Sequence, residues 1–295
     1  MVIRTGHVET MKRTFSQQDF DRFAELSRDT NPIHVDPVFS ARTRFGNTVA
    51  HGMMLYSTIC SVLGGRIPGP GTTQIKQELM FKHPTYTQTE VTVRLEVMDV
   101  HPQNMTAEID TKIRLPDGND ACIGKTLVCL PGGTSGFPGN DQSFMASGQV
   151  LETIGVDTLK HLKLGQKATT LRTFTAADLA EYADLTGDSN PLFTDEKFAQ
   201  QAGFDRCIIP GPLLSGIFSD LLGTRLPGRG TNWLKQTVYF PAPAYVDDDI
   251  FASVKIVRLR PEKELVNLLD TCTNSSGQLV CQAQSLVLVK DLEKG

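Results

Sequence analysis

One short segment of the chain carries side chains that suit proton transfer. Asp29 and His34 lie five residues apart, on either side of an Asn-Pro turn. Such a turn can bring a carboxylate and an imidazole towards one point, and this pair suits general acid–base chemistry on a water molecule. An imidazole with an ordinary pKa both accepts and returns a proton near neutral pH. The pattern therefore predicts Asp29 and His34 as a candidate acid–base pair.

A structural interpretation of the same segment has to be weighed against this one. Asp29 and Asn31 are residue types that favour turns and helix caps for their own sake. His34 would then be a half-buried histidine whose hydrogen bonds are made within the fold. Taken alone, the segment leaves both interpretations open.

An internal repeat bears on that choice. Residues 13–86 align without a gap with residues 172–245, and roughly a third of the aligned pairs are identical, which predicts a duplicated domain. The second copy keeps an aspartate at Asp188 but has Phe193 where the first copy has His34. Residues that both copies keep are explained by turn structure, whereas a histidine found in one copy only is dispensable for the fold. The comparison makes His34 a candidate for chemistry.

Each copy has the same predicted order of elements. In the first copy a capping-box pattern at 16–19 begins a short helix, a brief helix lies near 36–43, and an apolar helix covers about 51–63. Strands with alternating apolar and polar residues are predicted at 90–100, 105–115 and 122–130, and near 249–258, 264–273 and 279–290. One buried helix followed by an antiparallel meander predicts an α+β fold, in which the two sheets can pair edge to edge.

Composition bounds the organisation and the partners. The 295 residues suit two domains of ~150, predicted at 1–130 and 150–295 with a Gly-, Pro- and Ser-rich linker at 131–149. A net charge of −4 offers no basic excess for a run of phosphates, so no nucleic acid is expected as a partner. Six cysteines without a CxxC pair and the lack of an apolar run of ~18 residues predict a cytoplasmic protein with free thiols and no membrane segment.

The motifs together resemble a known family. The segment 15–36 reads Phe-Ser-x-x-Asp-x-x-x-Phe-Ala-x-Leu-Ser-x-Asp-x-Asn-Pro-Ile-His-x-Asp, and Phe45-Gly, His51-Gly-Met, Leu63-Gly and Pro68-Gly-Pro-Gly-Thr follow it. This pattern is similar to that of the MaoC-like dehydratases, which include the (R)-specific enoyl-CoA hydratases. The resemblance implies two tandem hot-dog domains, each a central helix wrapped by an antiparallel sheet, arranged as an internal pseudo-dimer.

The resemblance also implies roles for the matching residues. Asp29 and His34 would hold and activate the water that adds across the 2,3 double bond of an enoyl thioester. Asn31 would order the turn and form hydrogen bonds within the site. The backbone N–H at Gly52, at the start of the central helix, would stabilise the negative charge that develops on the thioester oxygen.

Two further residues are expected to support this site. His51 would shape the turn before the central helix, and a purely structural role for it stays open. Cys60 stands where some relatives have a serine that faces the site. Arg28 departs from the family, which usually has a glycine at this position, whereas the second copy keeps Gly187.

The second copy is expected to support catalysis rather than to perform it. It lacks the histidine, and Pro210 and Pro212 remove two backbone donors around the start of its helix. It would pair with the first copy and leave room for the acyl tail, or serve only as a structural partner; association into a homo-oligomer stays open. Lys76, Lys82 and Arg66 are candidate contacts for the CoA phosphates, with solvated surface charge as the alternative.

The expected function is the reversible hydration of trans-2-enoyl-CoA to (R)-3-hydroxyacyl-CoA. This is a hydro-lyase reaction with an acyl-CoA as substrate, no metal ion and no other cofactor. A 3-hydroxyacyl dehydratase acting on a carrier-protein thioester or a branched dicarboxyl-CoA stays open, and so does a thioesterase that would release free CoA. The alternative that is not an enzyme is a non-catalytic acyl-CoA-binding protein.

Overall fold

The first half of the chain folds into one long buried helix, shorter helices and five strands of an antiparallel sheet. The structure, a computed structural model, describes residues 3–132, 137 and 158–293. The elements of the first half are β1 (Val8–Thr14), α1 (Gln17–Ser27), α2 (Pro32–Val35), α3 (Pro37–Ser40), α4 (Gly52–Gly65), β2 (Thr73–Phe81), β3 (Glu90–His101), β4 (Thr106–Arg114) and β5 (Asp120–Cys129).

The second half repeats this order. Its elements are β6 (Thr158–Leu159), β7 (Leu162–Lys163), β8 (Lys167–Thr173), α5 (Ala176–Thr186), α6 (Glu196–Gln201), α7 (Gly211–Thr224), β9 (Asn232–Tyr239), β10 (Asp249–Arg260), β11 (Leu265–Thr273) and β12 (Leu279–Leu288). A single 3₁₀ turn at Pro261–Lys263 joins β10 to β11. Apart from α2, β6 and β7, which have no counterpart in the other half, the two halves therefore carry the same kinds of element in the same order.

Local signals in the sequence begin and end α1 and α5. Ser16 and Asp19 form a reciprocal capping box at the start of α1, and Thr175 and Asp178 do the same for α5. α1 ends at Arg28, whose φ of 64° is left-handed. At the matching position α5 ends at Gly187, where glycine adopts this conformation without steric strain.

The two long helices form the centre of the molecule. In α4 every residue from Met53 to Gly64 is buried, and in α7 every residue from Pro212 to Gly223 is buried. A helix that is buried on all sides has to be covered by other elements. α4 and α7 pack against each other, and the strands of both halves cover them.

Ten strands of the described residues form one antiparallel sheet, in the order β1-β3-β4-β5-β2-β9-β12-β11-β10-β8. β2 and β9 pair at its middle, with Lys76 opposite Tyr239 and Met80 opposite Lys235, so the sheets of the two halves are continuous. The predicted α+β fold of two tandem units with paired sheets is confirmed.

The sequence patterns did not predict β1, β2, β8 and β9. In β2 the inward-facing residues include Gln77, which is fully buried, and in β9 Gln236 is fully buried as well. Polar residues at buried positions conceal the alternation that marks a strand. Most of the predicted linker at 131–149 lies outside the described residues, so the linker and the domain boundaries stay predictions. No helix in the described part of the chain has both the length and the apolar character needed to cross a bilayer.

Candidate active site

Asp29 and His34 are brought together where the first half meets the second. Asp29 follows the C-terminus of α1, and His34 lies in α2, a single turn that Asn31 caps and Pro32 begins. The two side chains are 1% and 8% exposed, and His34 Nε2 lies 3.9 Å from Asp29 Oδ2. The predicted pair therefore converges at a buried point, at a distance at which one water molecule can contact both groups.

Hydrogen bonding determines which nitrogen of His34 faces Asp29 with a lone pair. His34 Nδ1 lies 2.7 Å from the carbonyl oxygen of Val49. Because a carbonyl oxygen only accepts, Nδ1 carries the hydrogen in the neutral ring and Nε2 is left as the acceptor. The basic nitrogen therefore points towards the carboxylate side of the site.

Burial shifts the pKa values of both Asp29 and His34 so that the neutral form of each group is favoured. Burial raises the pKa of Asp29 to about 6, and hydrogen bonds from Ser219 and the Asn31 backbone oppose part of this rise. Burial lowers the pKa of His34 to about 4, with the hydrogen bond to Val49 acting the other way. At neutral pH the site therefore holds a carboxylate and a neutral imidazole, both able to accept a proton, rather than an ion pair.

Asn31 joins the two halves of the molecule. Its Nδ2 donates to the carbonyl oxygen of Thr231 at 3.0 Å, and its Oδ1 accepts from the Gly230 N–H at 3.1 Å. Asn190 makes the equivalent bonds to Thr72 and Gly71, at 2.9 and 3.1 Å. This reciprocal bonding explains why both copies keep the asparagine, and it places the Asp29 segment against the start of β9.

The residue that contacts Asp29 from the second half is Ser219, not Cys60. Ser219 Oγ in α7 donates to Asp29 Oδ2 at 2.5 Å. Cys60 does not line this cavity; it lies beside Gln74 in the equivalent cavity of the second half, which Asp188 also lines. The expectation for Cys60 fails because each central helix presents its middle to the aspartate of the opposite half.

His51 stacks on His34 and supports Asp29 through its backbone. The two imidazole rings lie 3.9 Å apart between centroids with an interplanar angle of 27°. His51 Nε2 lies 3.0 Å from the carbonyl oxygen of Asp29, so this nitrogen carries the hydrogen. Burial and the neighbouring His34 hold the pKa of His51 well below its ordinary value. His51 is therefore a neutral spacer that orients both members of the pair.

Within the described parts of the chain, Asp29, His34 and His51 form the one group of possible metal ligands, since one ligand atom from each lies within 4.8 Å of the others. An imidazole binds a metal through a lone pair in the plane of its ring. The planes of these two stacked rings are 27° from parallel and their centroids lie 3.9 Å apart, so one ion cannot lie in both planes at bonding distance from each ring. The stacking therefore fits a metal centre poorly.

Gly52 begins α4 at the edge of the same cavity. The first N–H groups of a helix have no partner within it, and the helix dipole makes them suitable for negative charge. A Cβ on Gly52 would lie 2.7 Å from Cζ of Phe81, so a side chain here would displace the Phe81 ring. Packing against Phe81 is thus a reason for the glycine that the sequence pattern did not reveal.

The first cavity has about 710 Å³ of space, part of it open to solvent. Its lining comes from both halves: Asp29, Asn31, Ile33, His34, Arg44, Phe45, Val49, Ala50, Gly52, Leu55, Phe81, Lys82, His83, Pro84, Thr85, Ser219, Leu222, Gly223, Thr231, Asn232 and Trp233. Exposed cationic and polar side chains at its mouth include Arg44, Lys82 and His83. Of the predicted phosphate contacts Lys82 lies here, whereas Lys76 pairs with Glu78 and Arg66 bonds to the Thr10 carbonyl away from this cavity.

The second cavity, of about 540 Å³, occupies the equivalent place in the second half. Asp188 accepts a hydrogen bond from Tyr182 at 3.1 Å, and Phe193, which stands in the place of His34, packs edge-on against Tyr182. The cavity keeps the aspartate but has no imidazole beside it among its described lining residues. The difference between the two copies in the sequence, a histidine in one and a phenylalanine in the other, is therefore also a difference between the two cavities.

Sequence reasoning did not find the contributions of the second half to the first cavity. Ser219 aligns with Cys60 and Trp233 with Gln74, so the repeat gave no reason to assign either to the Asp29 site. Ser219, Thr231 and Trp233 line the cavity of Asp29 only because each half contributes residues to the cavity of the other half. The one available signal was the expectation of a pseudo-dimer, in which a site at the joint draws residues from both copies.

Comparisons with known proteins identify the family of the chain. The family described as "MaoC like domain" matches residues 4–116 and 160–274. The (R)-specific enoyl-CoA hydratase of Aeromonas caviae is 38% identical over 126 residues, covering 43% of this chain and 94% of the relative. The 3-hydroxybutyryl-CoA dehydratase of Methylorubrum extorquens is 39% identical over 130 residues, covering 44% and 82%. The expected hydro-lyase class agrees with the activities that these two relatives are named for.

A solved structure matches the whole architecture. A Mycobacterium tuberculosis protein described as having a double hotdog fold superposes with a TM-score of 0.75 at 14% identity, covering 97% of this chain and 96% of that one. At this identity the match bears on the fold alone. Two matched segments, the shared motif and the double fold lead to one conclusion: the chain belongs to the MaoC-like domain family.

Proposed function

We propose that this protein catalyses the reversible addition of water to the 2,3 double bond of a trans-2-enoyl-CoA, forming the (R)-3-hydroxyacyl-CoA. The observation that carries the proposal is the buried approach of His34 Nε2 to Asp29 Oδ2 at 3.9 Å, in the half of the molecule that has the histidine. The activities named for the two relatives are the second support.

In the proposed mechanism one water molecule lies between the carboxylate of Asp29 and Nε2 of His34. One of these groups removes a proton as the water oxygen bonds to C3, and the electron pair of the double bond moves towards the thioester oxygen. The proton held by the base then transfers to C2, so the product has gained one water and the enzyme is unchanged. Groups with pKa values of about 6 and about 4 are both unprotonated at neutral pH and so can accept a proton, and the value for Asp29 lies closer to the working pH.

The developing negative charge needs a donor at the thioester oxygen. Gly52 lines the cavity at the start of α4, where backbone N–H groups and the helix dipole favour an oxyanion. Removal of one such donor typically lowers the rate of an enzyme by ~10²–10³-fold. In this mechanism Asn31 and His51 position the reacting groups without exchanging protons.

The second half has a supporting role in this proposal. It supplies Ser219 to Asp29 and closes the first cavity with the start of β9. Its own cavity has Phe193 in place of His34, so we expect binding surface there without turnover. The proposed chemistry uses an acyl-CoA as substrate and no metal ion or other cofactor, in keeping with the stacked histidines.

The direct test is loss of the enoyl-thioester absorbance when the protein is mixed with trans-2-enoyl-CoA substrates of four to eight carbons. Chiral analysis of the product should give the (R)-3-hydroxyacyl-CoA, and a thiol reagent should detect no free CoA. Release of CoA would instead indicate a thioesterase. No change with any CoA or carrier-protein thioester, together with tight binding of acyl-CoA, would leave a binding protein.

A further inference from the structure

The first cavity contains polar groups that the proposed reaction does not use. In the part of the chain that the structure describes, no hydrogen-bond partner lies within reach of four buried atoms of its lining: Thr85 Oγ1, Thr231 Oγ1, Asn232 Nδ2 and Trp233 Nε1. Thr85 and Thr231 are only 1% and 4% exposed. An indole N–H is a donor only, and Trp233 Nε1 has no acceptor among the described residues.

The second cavity shows how the same positions look when their hydrogen bonds are made internally. Thr72, the counterpart of Thr231, donates to the Gly69 carbonyl at 2.6 Å. Gln74, the counterpart of Trp233, accepts from Tyr56 at 2.7 Å. The counterpart of Thr85 is Ala244, which has no hydroxyl. Of the two cavities, the one that holds the acid–base pair therefore has unmatched polar groups among its described lining residues, and the other does not.

The residues that carry these groups line the first cavity beside the segments of Asp29 and Gly52. The carbonyl of Thr231 accepts the hydrogen bond from Asn31, two residues beyond Asp29. The carbonyl of Thr85 accepts from the N–H of Ala50, just before Gly52. The Trp233 ring lies 6.4 Å from the Phe81 ring, which covers Gly52.

A plain alkenyl thioester does not supply enough acceptors for this set. Its carbonyl oxygen has two lone pairs, and the Gly52 N–H takes one of them in the proposed mechanism. One donor beyond Gly52 can share that oxygen, and at least three of the four polar groups are left over. Leaving buried donors unmatched is costly, so a ligand that supplies acceptors at these positions is favoured over one that does not.

We infer that the acyl group accepted by this cavity carries an oxygen acceptor, a carbonyl or carboxylate, within a few carbons of the reacting double bond. The inference rests on the proposed function and narrows its substrate class from simple fatty acyl thioesters to oxygenated ones. Trp233 and Thr231 of the second half are then the residues that determine this specificity.

The test measures equilibrium binding of thioesters that lack the double bond, so that it does not depend on turnover. Titration calorimetry compares succinyl-, 4-oxopentanoyl- and 5-oxohexanoyl-CoA with butanoyl-, pentanoyl- and hexanoyl-CoA. We expect at least one oxygenated member to bind tenfold or more tightly than its alkyl partner. Trp233→Phe and Thr231→Val should reduce that ratio severalfold each and leave alkyl binding within about twofold, because a site built for a hydrogen bond discriminates against ligands that lack it.

A matched control removes one hydroxyl on the other side of the molecule. Tyr56→Phe deletes a donor near Gly211 in the second half and should leave the ratio unchanged. Equal affinity for oxygenated and alkyl members in the wild type overturns the inference, as does a failure of all six to bind. A loss that is equal for both classes in Trp233→Phe also overturns it, since these groups would then contact the CoA arm. Tight, selective binding without hydration of any enoyl substrate would instead refute the proposed function.

Discussion

Among the described residues of the second half, Ser219 is the one whose side chain bonds directly to Asp29, one of the two proposed proton acceptors, and its removal has a calculable effect. The hydrogen bond from Ser219 Oγ to Asp29 Oδ2 favours the ionised carboxylate and opposes the rise that burial causes in the pKa of Asp29. A hydrogen bond to a charged group contributes about 1.5–3 kcal/mol, and each 1.36 kcal/mol corresponds to one pKa unit. In Ser219→Ala the pKa of Asp29 should therefore rise from about 6 to between ~7 and ~8.

The direction of the activity change follows from the role of the carboxylate as a proton acceptor. Activity requires the ionised form, so it is lost as the pH falls through the pKa of Asp29. The acid limb of kcat/KM should lie near pH 6 in the wild type and move upwards by one to two pH units in Ser219→Ala. At pH 7 the variant should be slower by ~2–10-fold. At pH 9 Asp29 is ionised in both enzymes, so their rates should be similar. The limb gives the pKa of Asp29 in the free enzyme because it is measured on kcat/KM.

The matched control is Cys60→Ala, at the aligned position of the other central helix. Cys60 contacts Gln74 in the second cavity, so its profile should coincide with that of the wild type. The reasoning is refuted if the acid limb of Ser219→Ala stays in place while its rate falls equally at all pH values. It is also refuted if Cys60→Ala moves the limb as far as Ser219→Ala does.

Three further predictions concern packing, buried charge and metal ions. Gly223→Ala would place a Cβ 2.8 Å from Asp29 Oδ1, and Gly64→Ala would place one 3.0 Å from Asp188 Oδ1. Both variants should lose ~1–3 kcal/mol of stability in urea unfolding, but only Gly223→Ala should lower kcat, by ~10²-fold. An equal loss of kcat in both variants would contradict this. Burial raises the pKa of Asp270 to about 7, above its value of ~4 in the unfolded chain, so the stability it contributes is full below pH ~4 and is lost as the pH rises through ~7. The stability of Asp270→Asn relative to the wild type should therefore increase by about 2–3 kcal/mol as the pH rises from ~5 to ~8. A difference in stability that stays constant over this range would show that Asp270 is ionised throughout it. Because His34 and His51 stack, dialysis against EDTA should leave the hydration rate unchanged, whereas a loss that zinc restores would establish a metal centre.

The repeat made most of the fold predictable from the sequence. The capping boxes, the apolar central helices and the alternating strands at 90–100 and 249–258 are strong local patterns, and their duplication indicated a paired sheet. The strands at the joint were not predicted, because Gln77 and Gln236 place polar side chains at buried positions. Such positions are decided by contacts across the joint, which a local pattern does not contain.

The candidate site was predictable only for residues that one segment holds together. Asp29, Asn31 and His34 lie in six consecutive residues, so a turn alone brings them close. Ser219 comes from 190 residues further along the chain. Its alignment with Cys60 suggested that a residue of the same half would face Asp29. The exchange of helix faces between the halves is a property of the assembled pseudo-dimer, and nothing within a single copy indicates it.

The central claim is that Asp29 and His34 perform the chemistry while the matching aspartate of the second half does not. The measurement is the hydration rate of trans-2-enoyl-CoA by Asp29→Asn, His34→Ala and Asp188→Asn, each shown to be folded and to bind a saturated acyl-CoA. Loss of a general acid–base group should reduce the rate by ~10²–10⁴-fold in the first two variants, with Asp188→Asn close to the wild type. Hydration that persists in His34→Ala, or an equal loss in Asp188→Asn, would contradict the account.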